Sequence, residues 1–162
     1  MKSSPPKLYI FDVDGTLRWT HTPGHRFPLS SADWSLMPNV ADTLRAIPWS
    51  THGPWIALAS NQPGPSEGSV TAPDAREMLA ATLHAAVGFL PPRARIQMCT
   101  CMPDASCARH KPNPGMLSDA LHHFNVCGSD ALFVGDQPID AEAARRAGIP
   151  FLWAADYFSW CL

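Results

Sequence analysis

The sequence is poor in charged residues, and neither sign dominates. Asp, Glu, Lys and Arg make up only 16% of the 162 residues, and the formal net charge is −2. Proteins that bind nucleic acid or acidic membranes generally carry a broad basic field, so this composition argues against both partners and requires any anion to bind at a local site. Hydrophobic residues reach 46%, which is a globular composition. At this length we expect a single domain over residues 1–162.

Long hydrophobic runs are also missing. The longest, such as residues 8–13 and 131–134, are far shorter than the roughly 20 apolar residues that a helix needs to cross a bilayer. Residues 1–6 lack the apolar segment of a secretory signal peptide. We therefore expect a cytoplasmic protein with no membrane partner, and a monomer by default.

Cysteine is scarce and unevenly placed. Of the five cysteines, Cys99, Cys101 and Cys107 lie close together, while Cys127 and Cys161 stand apart. An odd count in a chain without an export signal is a poor disulfide framework, so the cluster indicates a metal site. The 17 prolines and 10 glycines lie mostly between apolar runs, which predicts short regular elements joined by shaped loops.

Short apolar runs alternate with segments of helical spacing. Strands are predicted at residues 7–13, 55–59, 94–98, 131–134 and 151–153. Helices are predicted at residues 38–47, 73–90, 113–125 and 138–147, and residues 18–37 are predicted to be loop. Because parallel neighbours need crossover connections, the pattern predicts an α/β fold, a three-layer α/β/α sandwich with a mostly parallel, Rossmann-like sheet.

Four polar clusters coincide with the ends of these elements. They are Asp12-Val13-Asp14-Gly15-Thr16, Ser60-Asn61-Gln62, Lys111-Pro112 and Gly135-Asp136-Gln137. Ligands of open α/β sheets bind beyond the carboxyl ends of the strands. One such cluster alone could be an ordinary turn, since Asp and Gly are common turn residues, but four in this order indicate a shared site.

The order of these clusters resembles that of the haloacid dehalogenase superfamily of phosphotransferases. The resemblance runs from Tyr9 to Trp153 and follows the pattern D-x-D-G-T, Ser, Lys and G-D-x-x-x-D. The segments S-N-Q-P-G at 60–64 and K-P-N-P-G-M-L at 111–117 are most similar to the subfamily of heptose bisphosphate and histidinol-phosphate phosphatases, with polynucleotide 3′-phosphatases as more distant relatives. Transport ATPases of this type carry Thr at the position of Asp14, and dehalogenases lack that acid, so a phosphatase fits best.

The resemblance implies a two-step hydrolysis of a phosphomonoester. Asp12 matches the family's nucleophile, which takes the phosphoryl group before water cleaves the aspartyl phosphate. Asp14 lies two residues on, on the same side of an extended chain, and would protonate the leaving alkoxide and later take a proton from the attacking water. Ser60 and Lys111 would surround the phosphoryl oxygens together with Mg²⁺.

The resemblance also implies how Mg²⁺ is held. Asp12, the backbone carbonyl of Asp14, and Asp136 would ligate the ion, an all-oxygen set suited to a hard cation. Asp140 would support these ligands from behind. Thr16 would support the Asp12 loop through its hydroxyl.

A structural zinc site precedes the lysine in the resembling phosphatases, with a C-x-H…C-x-C pattern. Cys99 and Cys107 match family positions, and Cys101 replaces the histidine, an exchange that tetrahedral zinc accepts. Arg109 stands where the last cysteine is expected, so we predict His110 as the fourth ligand. The alternative is a loop of three reduced thiols without a metal.

Many relatives insert a cap domain, and the loops of this chain leave no room for one. Substrate recognition then falls to three loops, 18–37, 62–72 and 99–110. The predicted substrate contacts are Asn61, Gln62 and Arg109, together with Arg26 or His25.

We expect the substrate to be a small phosphomonoester, a sugar phosphate. A polynucleotide 3′-phosphatase would gain affinity from several backbone phosphates, and the sequence offers no continuous basic track for them. Two alternatives stay open: a polynucleotide 3′-phosphatase, and a catalytically inactive, zinc-stabilised binding module.

Overall fold

The structure is a computed structural model that describes residues 4–103 and 106–161. The described part omits residues 1–3 and 162 of the predicted domain. It also omits residues 104 and 105 of the predicted substrate loop 99–110. The strands are β1 (Leu8–Phe11), β2 (Arg18–Thr20), β3 (Trp34–Leu36), β4 (Trp55–Asn61), β5 (Arg95–Cys99), β6 (Ala131–Gly135) and β7 (Phe151–Trp153). The helices are α1 (Val40–Arg45), α2 (Gly64–Glu67), α3 (Ala72–Val87), α4 (Gly115–Phe124), α5 (Pro138–Ala147) and α6 (Ala154–Tyr157), with a 3₁₀ turn at Gly128–Asp130.

The main sheet has the order β5-β4-β1-β6-β7, and its neighbouring strands are all parallel. In the centre, Phe11 of β1 pairs with Leu58 of β4 on one side and with Val134 of β6 on the other. This register brings the ends of the three central strands to the same edge of the sheet. From β1 the chain first adds β4 and β5 on one side and then β6 and β7 on the other. Such a change of direction in the strand order opens a crevice in which a ligand can bind.

Two apolar clusters cover the two faces of the sheet. Alternate side chains of a strand point to opposite faces, and β1 follows this rule. Tyr9 and Phe11 pack with side chains of α1, α3 and α6, whereas Leu8 and Ile10 pack with side chains of α4 and α5. The predicted three-layer α/β/α sandwich with a parallel sheet is therefore confirmed.

The segment 18–37 departs from the prediction. Rather than a plain loop, it contains an antiparallel hairpin in which β2 pairs with β3, with Arg18 opposite Leu36 and Thr20 opposite Trp34. These strands have three residues each and mix polar with apolar side chains, so no apolar run marks them, whereas the equally short but wholly apolar β7 was predicted. The helices α2 and α6 escaped prediction because four residues are too few to show a helical spacing of apolar side chains. The predicted 73–90 helix ends earlier, at Val87, where Gly88 adopts a positive φ of 94°.

No helix within residues 4–103 and 106–161 is long and apolar enough to cross a membrane.

Candidate active site

A cavity of about 1120 Å³ opens at the carboxyl edge of the central strands. Residues from all four predicted clusters line it, among them Asp12, Asp14, Ser60, Lys111 and Asp136. Asp12 follows β1, Ser60 lies at the end of β4, and Asp136 follows β6. The structure thus brings together residues that are up to 124 positions apart in sequence, because the parallel register aligns the strand ends.

Asp12 is the central carboxylate and is only 6% exposed. Its backbone N–H donates to the carbonyl of Val134 at 3.0 Å, which ties it to β6. The Lys111 Nζ lies 2.6 Å from Asp12 Oδ1, and the hydroxyl of Thr16 lies 3.2 Å from Oδ2. Asp12 is therefore fixed at both oxygens.

Lys111 enters the site from the loop before α4. Its buried ammonium donates to Asp12 Oδ1 at 2.6 Å and to Asp140 Oδ1 at 2.7 Å. The backbone of the lysine is held by Asn61, whose Nδ2 donates to the Lys111 carbonyl at 3.1 Å and whose Oδ1 accepts from its N–H at 3.0 Å. Asn61 lines the cavity, but these two bonds already occupy its amide.

Burial and ion pairing set the charge states of Asp12, Asp140 and Lys111. Burial raises the pKa of Asp12 to about 6, and the nearby Lys111 only partly opposes this. Burial and the neighbouring Asp12 raise the pKa of Asp140 to about 6 as well. Burial by itself would lower the pKa of Lys111, but the two carboxylates raise it above its ordinary value. The lysine is thus held as a cation between two buried acids.

The carboxylates of Asp12, Asp136 and Asp140 offer oxygens that all lie within 4.8 Å of one another. Such a cluster of hard oxygen donors suits Mg²⁺. Gly15, with a φ of 89°, lets the Asp136 carboxylate approach the loop that follows Asp12, because a Cβ at Gly15 would stand 2.3 Å from Asp136 Oδ2. Asp140 Oδ2 accepts from the N–H groups of Asp136 and Gln137, and the second bond makes Asp140 the N3 residue of a capping box whose N-cap is Gln137 at the start of α5.

The Asp14 carboxylate is hydrogen bonded by two side chains, Arg18 and Gln62, that the sequence did not suggest as its partners. Arg18 Nε donates to Asp14 Oδ1 at 2.7 Å, and Gln62 Nε2 donates to Asp14 Oδ2 at 2.5 Å. The same Gln62 amide donates to Ser60 Oγ at 2.8 Å. Gln62 is 1% exposed and therefore braces Asp14 and Ser60 from behind the cavity wall.

The predicted substrate contact by Arg109 is not part of the cavity lining. Its guanidinium instead donates to Asp119 on α4 and to Gln97 on β5. Gln62, also predicted as a substrate contact, is buried and does not line the cavity either. His25 and Arg26, two further predicted contacts, do line it, together with the exposed ring of Trp19. Trp19 escaped sequence prediction because nothing in a lone tryptophan distinguishes a cavity rim from a core.

Comparisons with known proteins agree with this geometry. A sequence model described as "Haloacid dehalogenase-like hydrolase" matches residues 96–154. The D-glycero-beta-D-manno-heptose-1,7-bisphosphate 7-phosphatase of Bordetella bronchiseptica is 32% identical over 146 residues, which cover 88% of this chain and 76% of the relative. The chain belongs to the haloacid dehalogenase-like hydrolase family.

Further similarities narrow the class within that family. The protein of the same name from Pseudomonas putida is 30% identical over 88% of this chain and 78% of its own length. The crystal structure of D,D-heptose 1,7-bisphosphate phosphatase from B. bronchiseptica, complexed with magnesium and phosphate, superposes with a TM-score of 0.71 at 27% identity, covering 89% of this chain and 78% of that one. This haloacid dehalogenase-like hydrolase is a phosphatase.

The cysteine loop of the phosphatase ends directly at Lys111. Cys99 Sγ lies 3.6 Å from Cys107 Sγ and 3.8 Å from His110 Nδ1. Cys101 and Cys107 are joined as a disulfide, whereas the clustering of the cysteines predicted a metal site in this loop. The sulfurs of Cys99, Cys101 and Cys107 all lie within 4.8 Å of one another.

Proposed function

We propose that this phosphatase hydrolyses a phosphorylated sugar in two steps, with Asp12 as the nucleophile and Asp14 as the acid and base. The observation that carries the proposal is the contact of Lys111 with Asp12 in a cavity that also contains Ser60 and Asp136. It supports an attacking carboxylate with a positive charge beside it. Phosphoryl transfer depends mainly on such positioning and charge stabilisation.

In the first step an Asp12 carboxylate oxygen attacks phosphorus, and the bond from phosphorus to the sugar oxygen breaks. Protonated Asp14 gives its proton to that leaving oxygen. In the second step the carboxylate of Asp14 takes a proton from water, which attacks the aspartyl phosphate and displaces Asp12. The products are the sugar alcohol and inorganic phosphate, and both aspartates return to their starting forms.

The donor set fits a magnesium ion. Asp12, Asp136 and the backbone carbonyl of Asp14 would hold it, while Asp140 stays paired with Lys111. When bound, the ion supplies positive charge to the transferring phosphoryl group. Thr16, whose hydroxyl lies 3.2 Å from both Asp12 Oδ2 and Asp136 Oδ1, would keep these two carboxylates aligned.

The substrate class is inferred from the relatives and from the cavity. The relatives are named as phosphatases of a heptose bisphosphate, and a cavity of about 1120 Å³ accommodates a sugar of that size. Trp19 offers an exposed ring, and Arg26 and His25 offer polar contacts at its wall. The lining also includes the acidic Glu67, which disfavours the sugar–phosphate backbone of a polynucleotide.

The cysteine loop fits a structural zinc ion once its disulfide is reduced. Tetrahedral zinc with bonds of about 2.3 Å to sulfur places its ligands about 3.8 Å apart. The separations of Cys99 Sγ from Cys107 Sγ and from His110 Nδ1 match this spacing. We propose Cys99, Cys101, Cys107 and His110 as ligands; four protein ligands would leave no place for a catalytic water.

The test of the function uses purified protein, Mg²⁺ and three substrates: p-nitrophenyl phosphate, a heptose 1,7-bisphosphate and a 3′-phosphorylated oligonucleotide. We expect Asp12→Asn to abolish turnover, and radiolabelled phosphate to appear on wild-type protein after acid quenching but not on this variant. More than a few per cent of wild-type activity in Asp12→Asn would refute the covalent mechanism. A kcat/KM roughly 100-fold higher for the oligonucleotide than for the sugar, at equal salt, would refute the substrate class.

A further inference from the structure

Arg18 is a fully buried cation beside the active site. Its side chain is 0% exposed, and it is the largest of the fully buried side chains among the described residues. The guanidinium is satisfied at both ends: Nη1 donates to Thr82 Oγ1 at 3.0 Å and to the carbonyl of Met78 at 3.1 Å, both on α3. The other side of the fork faces Asp14.

The contact with Asp14 is a two-point one. Nε lies 2.7 Å from Oδ1 and Nη2 lies 3.3 Å from Oδ2. A planar guanidinium that meets both oxygens of a carboxylate fixes the rotation of that carboxylate as well as its position. The Asp14 side chain is 13% exposed and lines the cavity, so it is held against the wall with one edge open to a bound substrate.

Packing alone does not account for an arginine at this place. Removing a guanidinium from water is costly, and a whole buried ion pair can often be replaced by apolar side chains of similar volume without loss of stability. Besides its bonds to α3, the guanidinium lies 6.0 Å from the centroid of the Trp34 ring on β3. The charge is explained by the one anion that it contacts, Asp14.

We propose that Arg18 is a positioning residue that holds Asp14 in place to exchange a proton with the leaving group. The inference rests on the proposed function, in which Asp14 is the acid and base. Arg18 is fully buried and does not line the cavity, so it would not touch the substrate itself. Its guanidinium is anchored on helix α3 by Thr82 and Met78, and it holds the Asp14 carboxylate in a fixed position relative to that helix.

A positioning role can be separated from a structural one by the leaving group. The ratio kcat/KM reports the steps up to transfer of the phosphoryl group to Asp12. A sugar alkoxide needs a proton in that transfer, whereas p-nitrophenolate leaves without one. A misplaced Asp14 therefore slows kcat/KM for an alkyl phosphate and spares p-nitrophenyl phosphate, while general damage to the site slows both equally.

The experiment compares Arg18→Met, Arg18→Lys, Asp14→Asn and the double variant Arg18→Met/Asp14→Asn on both substrates. We expect Arg18→Met to lower kcat/KM for the sugar phosphate about 100-fold, within the range of a lost general acid, and for p-nitrophenyl phosphate less than about fivefold. Arg18→Lys should recover part of the loss. The double variant should be no slower than Asp14→Asn alone, since residues that act through one group are not additive.

Arg76 on α3 provides a matched control. It is an exposed arginine whose Nη1 donates to the carbonyl of Ile96, and Arg76→Gln should leave both substrates unaffected. Equal losses for the two substrates in Arg18→Met, or an added loss in the double variant, would overturn the positioning role.

Three further outcomes separate the role of Arg18 from that of Asp14. If Arg18→Met fails to fold, Thr82→Val removes one anchor of the guanidinium at nearly constant volume, and a loss confined to the sugar phosphate is again required. If Asp14→Asn itself shows no dependence on the leaving group, the acid–base assignment of the proposed function fails. If Asp14→Asn shows that dependence and Arg18→Met does not, only the role of Arg18 fails.

Discussion

The side-chain amide of Asn61 hydrogen bonds to both backbone groups of Lys111, which lies 50 residues further along the chain. One residue at the end of β4 thus sets where the buried ammonium of the lysine enters the site. The bond network continues from Lys111 to Asp12 and Asp140. A small change at Asn61 should therefore reach the nucleophile.

Asn61→Ala removes both of these hydrogen bonds and leaves two backbone groups of Lys111 without their partner. We expect kcat to fall about 10- to 100-fold, which corresponds to about 1–3 kcal/mol for such groups. The KM should change less, because the side-chain amide of Asn61 is hydrogen bonded to the Lys111 backbone and not to the substrate. Steady-state kinetics with p-nitrophenyl phosphate measure both. A raised KM with an unchanged kcat would instead identify Asn61 as a substrate contact.

Lys111→Met leaves the buried carboxylates of Asp12 and Asp140 facing each other without a cation. We expect turnover to fall about 100-fold or more and the free energy of unfolding to fall by about 3–5 kcal/mol at neutral pH. Steady-state kinetics with Mg²⁺ measure the turnover. Chemical denaturation in metal-free buffer measures the free energy of unfolding. Lys7, an exposed lysine paired with Asp130, is the matched control. Lys7→Met should change neither quantity, and a similar loss in both variants would contradict the prediction.

Asp33 organises the loop that carries His25 and Arg26 over the cavity. Its carboxylate accepts from Thr22 Oγ1 at 2.8 Å, Thr20 Oγ1 at 3.0 Å and the N–H of Leu29 at 3.1 Å. Asp33→Asn weakens these bonds, so we expect the KM for a sugar phosphate to rise roughly threefold to tenfold with little change in kcat. Asp42→Asn, at an exposed acid on α1, is the control. An unaltered KM in Asp33→Asn would show that the loop does not contact the substrate.

Asp33 also makes a prediction about pH. Its hydrogen bonds, led by that of Thr22, lower its pKa to about 2. A depressed pKa means that the ionised side chain stabilises the fold fully above the ordinary Asp value of about 4. This contribution is lost as the pH falls toward 2. Asp33→Asn should therefore show a flatter loss of stability than wild type between these two pH values, as measured by thermal unfolding.

Zinc content should depend on the redox state of the cysteine loop. Protein purified with a reductant and no added metal should contain about one zinc per chain, whereas oxidised protein, with Cys101 and Cys107 joined, should contain none. Because the loop leads directly into Lys111, removing the zinc should lower both thermal stability and activity. Elemental analysis is the measurement. A content near zero in reduced protein would defeat the zinc proposal.

Much of the fold could be read from local patterns. The run Leu8–Phe11 is buried on both faces and marks the central strand, and the residues after it identify the site edge. Helix α5 was visible from its proline start and apolar spacing, and its predicted bounds agree with the structure. Burial periodicity is a property of a single element, so one sequence is enough to reveal it. The hairpin of β2 and β3 was missed because each strand has only three residues and contains no apolar run.

The sequence by itself determined the layered α/β class and the carboxylates and lysine that meet at the strand ends. The tertiary structure alone decided the partners: Arg18 with Asp14 and Thr82, Gln62 behind Ser60, and Arg109 turned away toward Asp119. It also decided that Cys101 and Cys107 meet. The physical reason is that a hydrogen bond or ion pair between distant residues depends on strand register and helix docking, which arise from the packing of the whole chain. Residue type and spacing limit the hydrogen bonds and ion pairs that a side chain can make. The folded chain determines which of them form.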